Sequence, residues 1–196
     1  MMITLGVTGG LGSGKTTACG FLKEKGAVVF DADAVAKNII LTNQHVQQTI
    51  EETFNVKVVR EGRLDTKKLA SLAFVSEENQ STLNNIVHPE VIKVLEEEIE
   101  SHRGKTELFV VDAPLIFESG LDARLDYTVL IYAKLKIRLE RALRRGNLSR
   151  EEIMRRIKFQ MPEEEKKELA DFVIDNNGSL EQLRESMHRL YDELVV

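Results

Sequence analysis

Cysteine is nearly absent from this chain: Cys19 stands alone among 196 residues. An intramolecular disulfide framework and a cysteine-based zinc cluster are thereby excluded, and the composition fits a reducing compartment. Histidine is sparse too. His45, His88, His102 and His188 are scattered, and none has the HExxH or similar spacing of a metal-ligand pair. No apolar run approaches the roughly 20 residues of a membrane span, so no membrane partner is expected. The opening MMITLGVTGG carries neither a basic n-region nor a long apolar h-region. No signal peptide is expected from it, and the expected location is cytoplasmic. Only Pro89, Pro114 and Pro162 interrupt the chain as prolines, and low-complexity stretches are lacking, so flexible spacers are not expected. Basic residues are not in excess: 27 Lys+Arg against 32 Asp+Glu leave a formal charge of −5. That balance gives no support for a generic nucleic-acid binder.

What is present suffices for a globular core. The chain is 42% hydrophobic and 30% charged, and a chain of this length buries roughly 70% of its unfolded surface. Five short β-rich runs stand out: Ile3–Thr8, Ala27–Asp31, Leu108–Asp112, Tyr127–Tyr132 and Phe172–Asp175. Most are continuous apolar runs rather than alternations, as parallel strands covered on both faces require. Helical patterns separate them, including Lys15–Lys25 and Leu180–Val195. In the latter, Leu180, Leu183, Met187, Leu190 and Leu194 mark one face, and Ser179 with Gln182 reads as a capping box. Strand–helix alternation implies an α/β fold with a five-stranded parallel sheet.

Two stretches break the alternation. Between Asp33 and about Gly104 the pattern is helical (Val46/Ile50/Phe54, then Leu83/Ile86/Val87 with Val91/Leu95/Ile99), with one short strand over Val56–Arg60. Lys134 to about Glu168 is charged and helical, with Ser149 and Glu152 as a second capping box. The expected organisation is a core of 1–34, 105–133 and 169–196, a helical insertion at 35–104 and a helical segment at 134–168.

The motif that carries chemistry is Gly9-Gly10-Leu11-Gly12-Ser13-Gly14-Lys15-Thr16, which meets GxxxxGK[ST] at every fixed position between a strand and a helix. Glycines let consecutive N–H groups turn toward a phosphate, and the helix start favours an anion. Gly12, Ser13, Gly14, Lys15, Thr16 and Thr17 are therefore candidate triphosphate ligands. Lys15 is expected on the β/γ-phosphates and the Thr16 hydroxyl on Mg²⁺. ATP and Mg²⁺ are the expected cofactors.

GTPases need a guanine-reading NKxD, which is lacking, and large motor or transporter ATPases need more chain. Small-molecule kinases remain, in which a three-layer P-loop NTPase core carries an acceptor-binding insertion and a lid. Asp33, just past the second strand run, lies where such sheets bind ligands. It reads either as a base on the acceptor hydroxyl or as the N-cap of a helix over Ala34–Leu41. Asp112 ends an apolar strand, as a Mg²⁺-holding carboxylate or as an ordinary polar strand end. Arg138, Arg141 and Arg145 share a helix face, and Lys134–Lys158 holds ten basic and three acidic residues. That face is either solvated or a lid over ATP, with Arg141 and Arg145 as the candidates. Glu118 reads as an exposed loop acid, His88 as a structural turn residue, and Cys19 as a small buried hydrophobe.

The ordered set of motifs resembles the dephospho-CoA kinase family. VTGGLGSGKTT resembles its P-loop, FDADAVA its DAD segment, LNNIVHPEV its HP segment, VVDAPLIFESGL its DxPLLFE segment, ADFVIDNNGS its C-terminal strand and turn, and RLERALRRGNLSREEIMRRIKFQ its lid. The resemblance implies transfer of the ATP γ-phosphoryl group to the ribose 3′-hydroxyl of dephospho-CoA, in the last step of coenzyme A synthesis. It implies a base role for Asp33, contacts to dephospho-CoA from His88, Pro114, Leu115 and Phe117, and a place for Asn176 near the adenine. Lys37, Thr66 and Arg138 depart from the pattern, which often has Arg, Arg and Gln there. Another nucleoside monophosphate or small-molecule kinase on the same scaffold is the alternative. An ATP-binding regulator without an acceptor is the reading from a different class. The motifs do not encode oligomeric state.

Overall fold

The apolar runs find one another in space. This computed structural model describes residues 2–60 and 63–195. The chain opens with β1 (Ile3–Thr8), α1 (Lys15–Glu24) and β2 (Val28–Asp31). Next come α2 (Ala32–Thr42), α3 (Gln44–Phe54), β3 (Val59–Arg60), β4 (Arg63–Leu64), α4 (Thr66–Ala73) and α5 (Glu77–His102). The remainder is β5 (Leu108–Asp112), a 3₁₀ turn at Leu121–Arg124, β6 (Tyr127–Tyr132), α6 (Leu135–Arg144), α7 (Arg150–Lys158), α8 (Glu163–Leu169), β7 (Phe172–Asp175) and α9 (Leu180–Leu194). Internal contacts divide it into two units, Met1–Asp31 with Ile99–Val196, and Ala32–Glu98.

The first unit holds a five-stranded sheet in the order β2-β5-β1-β6-β7, parallel at every pairing. All five residues of β5 are buried, which is why that run is apolar without alternation. On one face, Leu5, Val7, Val110, Val129 and Ile131 meet Ala18, Cys19 and Leu22 of α1 and Leu183, Met187 and Leu190 of α9. Each such side chain contributes about 1.5–3 kcal/mol on full burial. Cys19 is 3% exposed, and burial, with Asp112 adding to it, pushes its thiol well above the ordinary value. On the other face, a Cβ at Gly6 would come within 2.7 Å of Ile116 and Leu125, so the segment after β5 packs directly on the strand there. The result is a three-layer α/β fold. Both capping boxes form, Ser149 with Glu152 and Ser179 with Gln182.

Leu180 departs from its expected core role. It is 64% exposed while Leu183, Met187, Leu190 and Leu194 are buried. As the first residue of α9 it borders the cavity described below instead of covering the sheet.

The unit Ala32–Glu98 is helical apart from the β3–β4 hairpin. The strand expected over Val56–Arg60 shortens to Val59–Arg60. The helical pattern from Leu83 to Ile99 forms as one helix, and α5 runs through Pro89. Pro89 leaves the Asn85 carbonyl without its i→i−4 donor, a cost of about 3 kcal/mol. Burial of Val87, Val91 and Leu95 along the same helix offsets it. His88 is therefore a half-buried helical residue rather than a turn residue.

Glu51 ties α3 to the hairpin. Its carboxylate accepts from Val58 N at 2.8 Å, Val59 N at 2.9 Å and Lys57 Nζ at 2.8 Å. The Lys57 hydrogen bond, then those of Val59 and Val58, hold the carboxyl down to about 2 from an ordinary 4.5. A depressed carboxyl stabilises the fold above its unfolded value, and that stabilisation is lost as pH falls through the folded value. Glu51→Gln should therefore lose less thermal stability than the parent when both are acidified from about pH 5 to about pH 2. Parallel curves would remove this role.

Candidate active site

The loop Gly9–Thr16 leaves β1 at the centre of the sheet and feeds α1. Two glycines are obligatory on steric grounds. Gly12 has φ 83°, and a Cβ there would strike the Arg138 carbonyl oxygen; Gly14 has φ 101°, and a Cβ there would strike the Asn176 amide nitrogen. α1 starts on Gly14 with no side-chain cap and no acidic residue in its first turn. Its first N–H groups and its dipole therefore favour an anion.

Lys15 Nζ pairs with Asp112 Oδ1 at 3.2 Å, and both side chains are largely buried. Register explains the meeting: Asp112 lies opposite Val7 of β1 and opposite Asp31 of β2, at the carboxyl end of the sheet. Thr16 and Thr17 are exposed at the start of α1. The candidate donors are the Thr16 hydroxyl, next in the chain to the lysine that pairs with Asp112, and the Asp112 carboxylate. That donor set fits Mg²⁺, which is held by one or two carboxylates with phosphate oxygens and water.

Beside the loop lies a cavity of about 360 Å³, lined by Gly12, Gly14, Thr17, Arg141, Arg144, Arg145, Asn176, Leu180 and Leu183. Asn176 is buried, takes its place by donating its N–H to Tyr132 O at 2.7 Å, and donates Nδ2 to Ser13 O at 2.7 Å. Arg141 donates Nη1 to the same Ser13 carbonyl at 3.4 Å. Arg145 closes α6 as an exposed C-cap. The three arginines on one expected face thus divide: Arg141 and Arg145 border the cavity, whereas Arg138 is only 4% exposed, beneath the loop. Arg144 joins the cavity wall unassigned by sequence reasoning, hidden in a general run of basic residues.

The loop after β5 is held from below. Pro114 O accepts from Thr8 Oγ1 at 3.2 Å and from Lys166 Nζ at 2.7 Å. Lys166 is fully buried and pairs with Glu118 Oε1 at 2.9 Å, which also accepts from Met161 N at 2.8 Å. Glu118 is an exposed loop acid, as expected, and is in addition a structural tie. Pro114, Leu115 and Phe117 are half-buried on this loop. The roles of Glu118 and Lys166 had no local sequence signal, since each bond spans more than forty residues.

In the other unit, Asp33 is exposed and lies inside the first turn of α2. The helix begins at Ala32, two residues earlier than expected, so Asp33 is not its N-cap. His88 lies in α5 of that unit.

The family model for dephospho-CoA kinase matches residues 3–182. The dephospho-CoA kinase of Bacillus licheniformis is 38% identical over 194 residues, covering 98% of this chain and 96% of that protein. The chain belongs to the dephospho-CoA kinase family. Solved structures agree. The dephospho-CoA kinase from Campylobacter jejuni matches with a TM-score of 0.71 and 29% identity, over 100% of this chain and 98% of that one. TT1252 from Thermus thermophilus matches with a TM-score of 0.82 and 39% identity, over 100% and 99%. Membership of the dephospho-CoA kinase family places the loop, the cavity and the α6 arginines on a P-loop kinase scaffold.

Proposed function

We propose that this chain transfers the γ-phosphoryl group of ATP to the ribose 3′-hydroxyl of dephospho-CoA, giving CoA and ADP. The full-length match to the dephospho-CoA kinase family carries this reading. Gly12, Ser13, Gly14, Lys15, Thr16 and Thr17 cradle the triphosphate. Thr16 and Asp112 would hold Mg²⁺, which when bound neutralises charge on the β- and γ-phosphate oxygens. Lys15 serves the same phosphates, so it exchanges its Asp112 partner for them. Asn176 and Arg145 serve the nucleotide from the cavity, and Arg141 stabilises charge on the group in transfer.

Asp33 orients the acceptor hydroxyl and takes its proton. His88 and the Pro114–Phe117 loop, through Pro114, Leu115 and Phe117, hold dephospho-CoA. Residues 35–104 act as the acceptor-binding insertion and 134–168 as the lid that excludes water, so that ATP is not hydrolysed instead. No helix among the described residues is long and apolar enough to cross a membrane. We place the enzyme in the cytoplasm, with neither nucleic acid nor membrane as partner.

ADP release measured with dephospho-CoA, AMP, CMP, shikimate and gluconate offered separately tests the reading. Stimulation by dephospho-CoA alone is expected. Faster turnover with AMP or CMP would replace it with a nucleoside monophosphate kinase, and ATP binding without acceptor-dependent turnover with a regulator.

A further inference from the structure

The two ends of the phosphate loop are treated differently by the fold. All four backbone polar groups of Gly10 and Leu11 are already engaged within the protein. Gly10 N donates to Glu163 Oε1 at 2.9 Å, and Gly10 O accepts from Ser13 N at 2.9 Å. Leu11 N donates to Gln160 Oε1 at 3.2 Å, and Leu11 O accepts from Arg138 Nε at 3.1 Å. Three of these four partners lie in the segment 134–168. The loop's far half, running into α1, has no such side-chain acceptors in its first turn.

Arg138 and Glu163 also face each other. Nη1 stands 3.6 Å from Oε1, with side chains 4% and 10% exposed. Burial lowers the arginine and raises the carboxyl, each opposed by the charge of the other. Lys166 and Glu118 are the other charged groups acting on Glu163. Glu163 Oε2 is buried and has no hydrogen-bond partner among the described residues. Space is as tight as bonding: a Cβ at Gly10 would strike the Arg138 guanidinium, and one at Gly12 the Arg138 carbonyl.

We propose that Arg138 and Glu163 are positioning residues, a buried clamp that fixes the Gly10–Leu11 shoulder of the phosphate loop and seats α6, with Arg141 one turn further on, against it. A desolvated ion pair is weak evidence for stability alone. Here both members spend their hydrogen bonds on the loop backbone, and the pair also sits at one of the positions where the chain departs from the pattern it resembles. With its shoulder held, the remaining amides of the loop meet the triphosphate already aligned, and misplacement of such groups by about 1 Å costs on the order of 10²-fold in rate.

This rests on the kinase reading above, and the test separates the two. Glu163→Ala alone strands a buried arginine and risks misfolding. The informative variants are R138Q/E163A, which removes the buried charges and the acceptor of Gly10 N–H, and R138Q/E163Q, which removes the charges but keeps groups able to bond the loop. Thermal midpoints are recorded first, and kinetics are then run well below them. R138Q/E163A should raise KM for ATP about tenfold, with KM for dephospho-CoA within about twofold of the parent. R138Q/E163Q should stay within about twofold in both. Unchanged ATP kinetics in R138Q/E163A, or equal rises in both KM values, would overturn the clamp. A parent that does not release ADP with dephospho-CoA overturns the kinase reading instead. The clamp is then judged by ATP affinity in calorimetry, on the same tenfold expectation for R138Q/E163A.

Discussion

Lys15→Ala should lower kcat/KM for ATP by about 10²–10³-fold, the usual cost of removing one donor aimed at developing charge. Two separate losses contribute. In the proposed reading the transferred phosphoryl group loses its ammonium, and Asp112, 6% exposed, loses the ion pair that compensates its burial. Breaking such a pair from one side is strongly destabilising, because a charge stays behind in a dry site. The variant should therefore melt earlier than the parent as well as work more slowly. K15A/D112N separates the effects: neutralising the stranded carboxylate should recover much of the melting temperature and none of the activity. ATP kinetics unchanged in Lys15→Ala would count against the whole site.

That lysine was legible because everything around it is local. The loop is eight consecutive residues, its glycines are dictated by backbone angles, and the flanking strand and helix have their own periodicities. Asp112 was legible for a related reason, since a carboxylate ending an apolar strand of a parallel sheet lands at the ligand-binding edge. The three central strands, β1, β5 and β6, followed from their continuous apolar runs, which are buried on both faces.

What was not legible depends on contacts that sequence spacing does not encode. Helical period groups Arg138 with Arg141 and Arg145, but only packing decides that the first goes beneath the loop while the others border the cavity. Leu180 keeps the period of the α9 core face, yet the sheet does not reach it. Lys166 and Glu163 sit in a charged run that reads as a solvated surface. Their partners, Pro114, Glu118 and Gly10, are 48 to 153 residues distant in the sequence, and burial of Lys166 follows from those partners alone. The turn reading of His88 fails in the opposite way: the local rule that proline ends a helix yields to apolar packing on both sides of Pro89.

The catalytic assignment with the sharpest consequence is Asp33. Its neighbourhood in the chain is set by β2, whose last residue, Asp31, stands in register with Asp112; two residues later Asp33 sits in the first turn of α2. A carboxylate in a first helical turn is favoured by the helix dipole. Asp33→Asn keeps the size and the ability to bond a hydroxyl while removing the basicity. If the residue takes the acceptor proton, kcat should fall by about 10²–10⁴-fold, the range for general-base catalysis. Phosphoryl transfer has a loose transition state in which the nucleophile is only slightly deprotonated. The lower end of that range is therefore expected for Asn, and a larger loss for Asp33→Ala, which forfeits orientation as well. ATP affinity should remain within about twofold in both, because in the proposed reading the loop and α1 carry the triphosphate without it. The split matters more than the size of the loss. A weakened ATP affinity with kcat preserved would make Asp33 a nucleotide-site residue, and near-normal kcat in Asp33→Asn would leave orientation by the insertion, without a base, as the way the hydroxyl is brought to react.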